Sequence, residues 1–257
     1  TRWCPPLDPH PPADGTVDVR RRTRSARVAE ERLARILATV RDGADGRQSL
    51  DRLSQATALE LAVSAVGFAL VLGGQHRGTL GVSDDRAAAV EDLQFTLGEG
   101  PCIEANRSGR PVFEPDLATS DRFPAFGPEA AALGLAAAFA VPLHVGSARF
   151  GSLDLYHEHP GALNDGVVDD AVVVADVATV TVMGAQADVA VGSLTDLLGD
   201  VAESRAIVHQ ATGVVAVQLD VSLDEALVAL RARAFADARP VSAVASDVVG
   251  RRLRFDR

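Results

Sequence analysis

Lysine is absent from the chain, so all 25 basic residues are arginine. Cysteine is nearly absent: Cys4 and Cys102 are too few for a disulfide framework or a thiolate metal set. Aromatics make up 4%, with one Trp, one Tyr and nine Phe, so any aromatic pocket wall must be built from phenylalanine. Long hydrophobic runs are missing as well. The longest, Leu61 to Leu72, is too short to cross a bilayer. The start, Thr1-Arg-Trp-Cys-Pro-Pro, lacks the basic-then-apolar pattern of a secretory leader. These absences predict a cytoplasmic protein with no membrane partner. Phosphate-cradling glycine motifs and local nucleophile signatures are also missing. The expectation is a non-enzyme with no catalytic residues, no metal and no cofactor.

Charge is unevenly spread. Residues 1–41 carry nine Arg against five acids, residues 42–199 carry eight Arg against 22 acids, and residues 200–257 carry eight of each. The acidic middle would repel nucleic acid, whose binding is dominated by phosphate electrostatics. An RNA partner would therefore meet an end of the chain. Near the C-terminus, Arg231/Arg233 and Arg251/Arg252/Arg254 are clustered. The alternative is that these are solvated helix faces.

Residues 1–23 are rich in Pro, Asp and Arg without periodicity, and read as a disordered tail. Helices are predicted over 24–41 and 49–61, then strands at 63–72 and 79–82 around a turn at 73–78. His76 is placed in that turn. Ser83 is expected to cap the next helix, with Asp84 and Asp85 in its first turn. Gly98, Gly100 and Pro101 set Cys102 at a helix start. A short strand at 111–114, a helix at 128–133 and a hairpin of 136–145 with 149–156 follow. A helix is predicted from Asp165 to Met183, continuing in more polar form to about Leu198.

The last 60 residues read as a small helical bundle. Ile207, Ala211, Val214, Val215 and Val217 form an apolar stripe, with Arg205, His209 and Thr212 opposite and Gly213 in the helix interior. Ser222-Leu-Asp-Glu225 is a capping box. Arg239-Pro240 breaks the chain, and Ser242 can cap a third helix ending at Gly250. This order resembles the ANTAR domain, an RNA-binding output module of bacterial transcription antiterminators. One position departs from it: Ala211-Thr212-Gly213 stands where the family usually has Ala-Lys-Gly. The segments "LQFTLGEGPCIEA", "PVFEPDLATSDRFPAF", "GLAAAFAVPL" and "FGSLDLYHEHPGALNDG" are similar to a GAF domain of the kind that precedes ANTAR in actinobacterial regulators.

The fold class expected is α+β: a GAF-like antiparallel sheet with flanking helices, joined by a helix to a three-helix bundle. The boundaries expected are a tail at 1–23, a sensor at 24–185, a helical linker at 186–199 and an ANTAR-like domain at 200–257. The resemblance implies a small-molecule or protein signal at the sensor and mRNA leader hairpins at the bundle. A sensor pocket between the sheet and 97–127 would be walled by Phe95, Cys102, Phe113, Phe123, Phe126, Phe139 and Leu155, unless these simply fill the core. Cys102 at a helix N-terminus could carry a lowered thiol pKa. Glu99 is expected to orient its loop. RNA would meet Arg205, His209, Thr212 and Gly213, with Arg231, Arg239 and Arg251 holding phosphates. Val172, Val173, Val177, Val180 and Met183 could pair two chains into a homodimer. The rival reading gives the bundle a protein partner. DNA binding is disfavoured because the last helix shows mainly Val, Ala and Ser.

Overall fold

A computed structural model describes residues 15–40, 46–187 and 193–256. The first hairpin shows how local chemistry sets its geometry. Gly73 and Gly74 both have left-handed φ, +62° and +70°. That conformation suits a two-residue turn between twisted strands. β1 (Ala65–Leu72) therefore folds straight back into β2 (Gln75–Val82), with Leu72 paired to Gln75. β2 begins four residues earlier than the pattern predicted. His76 is a buried strand residue and not a turn residue.

β3 (Val112–Glu114), β4 (Ala137–Val145) and β5 (Ala148–His157) complete an antiparallel sheet in the order β2-β1-β5-β4-β3. α1 (Gly15–Ala38), α2 (Gly46–Leu61) and α6 (Asp165–Ala187) cover one face. Phe68, Leu70, Phe139, Val141, Leu153 and Leu155 point into that layer. α3 (Asp85–Leu97), α4 (Pro101–Ser108) and α5 (Phe126–Ala132) belong to the other side, over Ala65, Ala138, Ala140 and Tyr156. Arg32 of α1 pairs with Asp170 of α6.

Several helix ends differ from expectation. α1 begins at Gly15, so residues 15–23 are helical and not tail; residues 1–14, also assigned to the tail, lie outside the described residues. Asp84 caps α3 by accepting from the Ala87 N–H at 2.8 Å. Ser83 is drawn away because its Oγ accepts from Val66 N–H at 2.9 Å. α6 ends at Ala187 and α7 (Ser193–Leu219) begins within the expected linker; residues 188–192 are outside the described residues.

α7, α8 (Leu223–Ala236) and α9 (Val241–Val249) form the C-terminal bundle. Val208, Ala211 and Val215 meet Ala226, Leu230, Ala234, Val244, Ala245 and Val248 in its core. The stripe is rotated from the one expected: Val208 is buried, while Val217 is 83% exposed. Burying one such Leu or Val side chain contributes about 1.5–3 kcal/mol. Ser222 and Glu225 make the capping box, with Glu225 Oε2 accepting from Ser222 N–H at 2.9 Å. At α9, Pro240 and not Ser242 precedes the helix, with φ −56° and ψ 140°, and offers no side-chain cap.

Strand β2 is one edge of the sheet. Gly81 lets α2 close upon it, because an added Cβ would lie 2.7 Å from the Leu50 carbonyl carbon. Asp51 Oδ1 then accepts from Val82 N–H at 2.8 Å. Gly81→Ala is expected to push α2 outward and cost about 1–3 kcal/mol, read as a lower urea midpoint with unchanged slope.

Candidate functional site

Strand alternation puts Ser152, Asp154 and Tyr156 on the α3/α4 face of β5, and all three are buried. α3 brings down Glu91 and Gln94, one turn apart, and β2 adds His76. These side chains satisfy one another. Tyr156 O–H donates to Glu91 Oε1 at 2.8 Å, and Gln94 Nε2 donates to Tyr156 Oη at 2.8 Å. Gln94 Oε1 accepts from Cys102 N–H at 3.1 Å. His76 Nε2 lies 3.1 Å from Glu91 Oε2, and Ser152 O–H donates to Asp154 Oδ1 at 2.7 Å. The glycines make room: a Cβ on Gly67 would strike the Glu91 carboxylate, and one on Gly100 the Gln94 amide.

Burial sets the protonation of this cluster. It raises the Glu91 carboxyl, which the Tyr156 hydrogen bond only partly offsets. It raises Asp154 well above the carboxylate range, and the nearby Glu91 charge adds to the effect. It lowers His76 to about 4. Two buried carboxyl groups side by side do not both ionise readily. His76 Nδ1 and Asp154 Oδ2 are buried without a hydrogen-bond partner among the described residues. The arrangement is suited to holding and relaying a proton. It does not make a thiolate: burial drives the Cys102 thiol well above its ordinary pKa, so the lowered pKa imagined for a helix start is not found. No group of three or more metal-ligating side chains occurs among the described residues.

The expected aromatic pocket is not assembled. Phe139 and Leu155 face the α1/α2/α6 layer. They pair directly across β4 and β5, one residue out of step with Ala138 and Tyr156. Phe113 is 40% exposed and makes a tilted ring contact with Phe139 at 6.1 Å between centroids. Phe123 and Phe126 are buried core residues in edge-to-face contact on the opposite face. Cys102 sits with Ala69, Val71 and Ile103. Phe95 leaves the sensor core and packs against the C-terminal bundle. Glu99 does orient its loop, accepting from the Ala125 and Phe126 N–H groups at 2.9 and 3.0 Å. The polar cluster was missed, though the Ser152-x-Asp154-x-Tyr156 alternation signals it: polar residues at every second position of a strand whose other side is Leu153 and Leu155.

The bundle is docked on the sensor. α7 packs along the edge strand β2 and α8 along α3. Thr96 Oγ1 accepts from Val241 N–H at 3.3 Å, a buried bond. Thr96 thereby supplies the cap that Pro240 cannot. This docking divides the expected RNA residues. Arg231 lies over Gly98, where an added Cβ would be 2.5 Å from Nη1. Arg239 is bonded to Asp247 at 2.7 Å and lines a cleft of about 360 Å³ with Asp92, Leu93, Phe235 and Pro240. Arg251 is exposed and shares a groove of about 580 Å³ with Gln210, Val214, Gln218 and Arg254 of the bundle's outer side. His209 is exposed on α7. Thr212 is buried and donates back to Val208 O at 2.7 Å, so it is not a surface contact. Around Gly213 an added Cβ would meet nothing within 4 Å. Arg205 lies in α7, but its side chain is outside the described residues. The three arginines thus sit in three places and not on one face.

Family comparison agrees with this architecture. The GAF domain model matches residues 47–191, and the ANTAR domain model matches residues 198–249. No curated protein matches the chain. Among solved structures, the GAF domain of a phosphoenolpyruvate-protein phosphotransferase from Coxiella burnetii aligns with TM-score 0.51 and 14% identity, over 63% of this chain and 96% of that one. The corresponding Acinetobacter domain aligns with TM-score 0.50 and 13% identity, over 62% and 95%. A free methionine-R-sulfoxide reductase from Neisseria meningitidis, in complex with its substrate, aligns with TM-score 0.50 and 18% identity, over 63% and 92%. At these identities the likeness concerns the fold alone.

The raised Glu91 pKa makes a pH prediction. A carboxyl whose folded pKa is raised contributes its stability below the ordinary carboxylate range and loses it as pH rises through the raised value. His76, with its lowered pKa, acts in the opposite sense and only as pH falls below about 6.5. Between about pH 6.5 and 8.5, Tm should therefore decline in the native chain and decline less in Glu91→Gln, which stays neutral. Parallel Tm profiles for the two proteins would show that Glu91 does not hold the proton.

Proposed function

Because the chain belongs to the GAF domain family and carries an ANTAR domain after it, we propose that it reads hairpin loops in nascent mRNA and promotes transcription antitermination under control of its sensor. GAF and ANTAR are regulatory domains, and their pairing makes this a signal-regulated ANTAR regulator. No helix among the described residues is long and apolar enough to cross a membrane.

The observation that best supports the RNA reading is the open outer side of α7. Bare backbone at Gly213 and the exposed His209 lie on the helix whose Gln210 and Gln218 line the groove with Arg251 and Arg254. Amide and guanidinium groups can hydrogen-bond or stack on splayed loop bases, which is how proteins read RNA sequence. Arg205 belongs to the same helix. The signal has a mechanical route through α3: its inner face carries Glu91 and Gln94, and its outer face carries Phe95 and Thr96 into the bundle.

A homodimer would present two such bundles. α6 supports it with Val172, Val173, Val180 and Met183 exposed and Val180 71% so, while Val174, Ala175, Ala178 and Val182 face the sensor core. The rival reading, a protein partner at the bundle, draws support from the exposed apolar side chains of Val217, Leu223 and Val228.

Titration against a two-hairpin RNA from the chain's own operon leader tests the reading. Expected is saturable binding that weakens with loop substitution and with salt. Binding indifferent to loop sequence would favour the protein partner. Gly213→Ala should stabilise α7 by about 1 kcal/mol yet weaken RNA binding severalfold, because the methyl would fill the open approach. Val180→Glu should convert the dimer to monomer in light scattering, leaving the Tm near that of the parent.

A further inference from the structure

We propose that Arg77 of β2 and Arg231 of α8 form a site for a phosphate-type oxyanion at the junction of sensor and bundle, and that the bound anion holds the bundle docked. Each guanidinium has a buried Nε with no acceptor among the described residues. No carboxylate pairs with either one there. Glu99 is committed elsewhere, accepting from Ala125 and Phe126 N–H, and Asp154 uses Oδ1 to accept from Ser152. Asp92 and Asp154 bear on His76, which is buried and neutral at ordinary pH.

One guanidinium is thus brought to the domain interface from each side, and neither has an ion-pair partner among the described residues. Burial makes Arg231 easier to deprotonate than a free guanidinium, and the Arg77 charge adds to the effect. Such a pair is repulsive until an anion lies between the two groups. A guanidinium presents a rigid planar fork that matches phosphate oxygens in a bidentate way. Two of them balance a phosphate dianion, free or as the terminal group of a small phosphate ester. One arginine comes from each domain, so the anion would bridge them. Arg231 sits across Gly98, whose left-handed φ of +65° turns the chain from α3 toward α4 and leaves no side chain in the way. With its anion in place, the site keeps Arg231 and the α8 face on the sensor and away from RNA. Only this last step rests on the RNA-binding reading.

The test uses the full chain. Thermal unfolding is followed in sodium phosphate and in sodium chloride at matched pH and ionic strength. Phosphate should raise Tm saturably by about 2–4 °C over chloride, and exchange of the Val241 amide, bonded to Thr96, should slow severalfold. Arg77→Gln and Arg231→Gln should each abolish both effects, while Arg110→Gln, an exposed control, should retain them. In the RNA arm, saturating orthophosphate should weaken RNA binding by the native chain and not by Arg77→Gln. A Tm response equal to that in chloride, or one that survives in the Arg77→Gln, Arg231→Gln double variant, overturns the site. Phosphate binding without slower Val241 exchange overturns the docking role. Failure of every form to bind RNA would refute the RNA reading and leave the Tm and exchange results to decide the anion site.

Discussion

Helix α3 serves two cores at once, and the rest of the molecule is arranged around that demand. Glu91 and Gln94 point down into the sheet, where they close the hydrogen-bond set with Tyr156 and Cys102 N–H. Phe95 and Thr96 point away and enter the C-terminal bundle. A shift of α3 by a fraction of a helical turn cannot leave both sets intact, because packed interiors and buried polar networks tolerate little displacement. On the proposed reading, that coupling would let a sensor event be felt by the output domain.

The polar cluster on the inner side has a particular energetic character. Buried polar groups are expensive unless satisfied; Tyr156, Gln94 and Glu91 satisfy one another, while His76 Nδ1 and Asp154 Oδ2 have no partner among the described residues. Burial holds the carboxyl groups of Glu91 and Asp154 to their protons at higher pH than in water. The cluster thus ties the position of α3 to a protonation state, while His76 stays neutral and leans on the Phe95 ring at 5.7 Å. Cys102 contributes a backbone N–H and a small apolar side chain, with its thiol shielded from ionisation.

Docking also changes the meaning of charge in the bundle. The C-terminal segment carries equal numbers of acids and arginines, but the structure spends them unevenly. Asp247 holds both Arg239 and Arg252 at 2.7 Å, and Asp237 holds Arg233 at 2.7 Å. Exposed pairs of this kind contribute little stability, yet they neutralise charge that phosphates could otherwise meet. Arg231 is sequestered against the sensor. What stays open is the outer side of α7 with Arg251 and Arg254.

Much of the architecture was legible in the residue pattern. The alternation of strands, the Ser222–Glu225 capping box, the glycines at 98 and 100 before Pro101, and the bundle helices all follow from local chemistry acting over a few residues; the two-domain order was legible through family resemblance. Helix ends were legible less well: Asp84 displaced Ser83 as a cap because Ser83 found a partner in β1, and Thr96 took the place of Ser242 from another domain. The site was the least legible part. Phe139 and Leu155 look like pocket walls until strand register sends them to the opposite face, and Phe95 looks like sensor core until the bundle claims it. Sequence determines which side chains alternate and which helices are amphipathic, because those are properties of single elements. Which elements share a buried acid, and which arginine ends beside another, depends on contacts between residues as far apart as Thr96 and Val241, and only the tertiary fold brings these together.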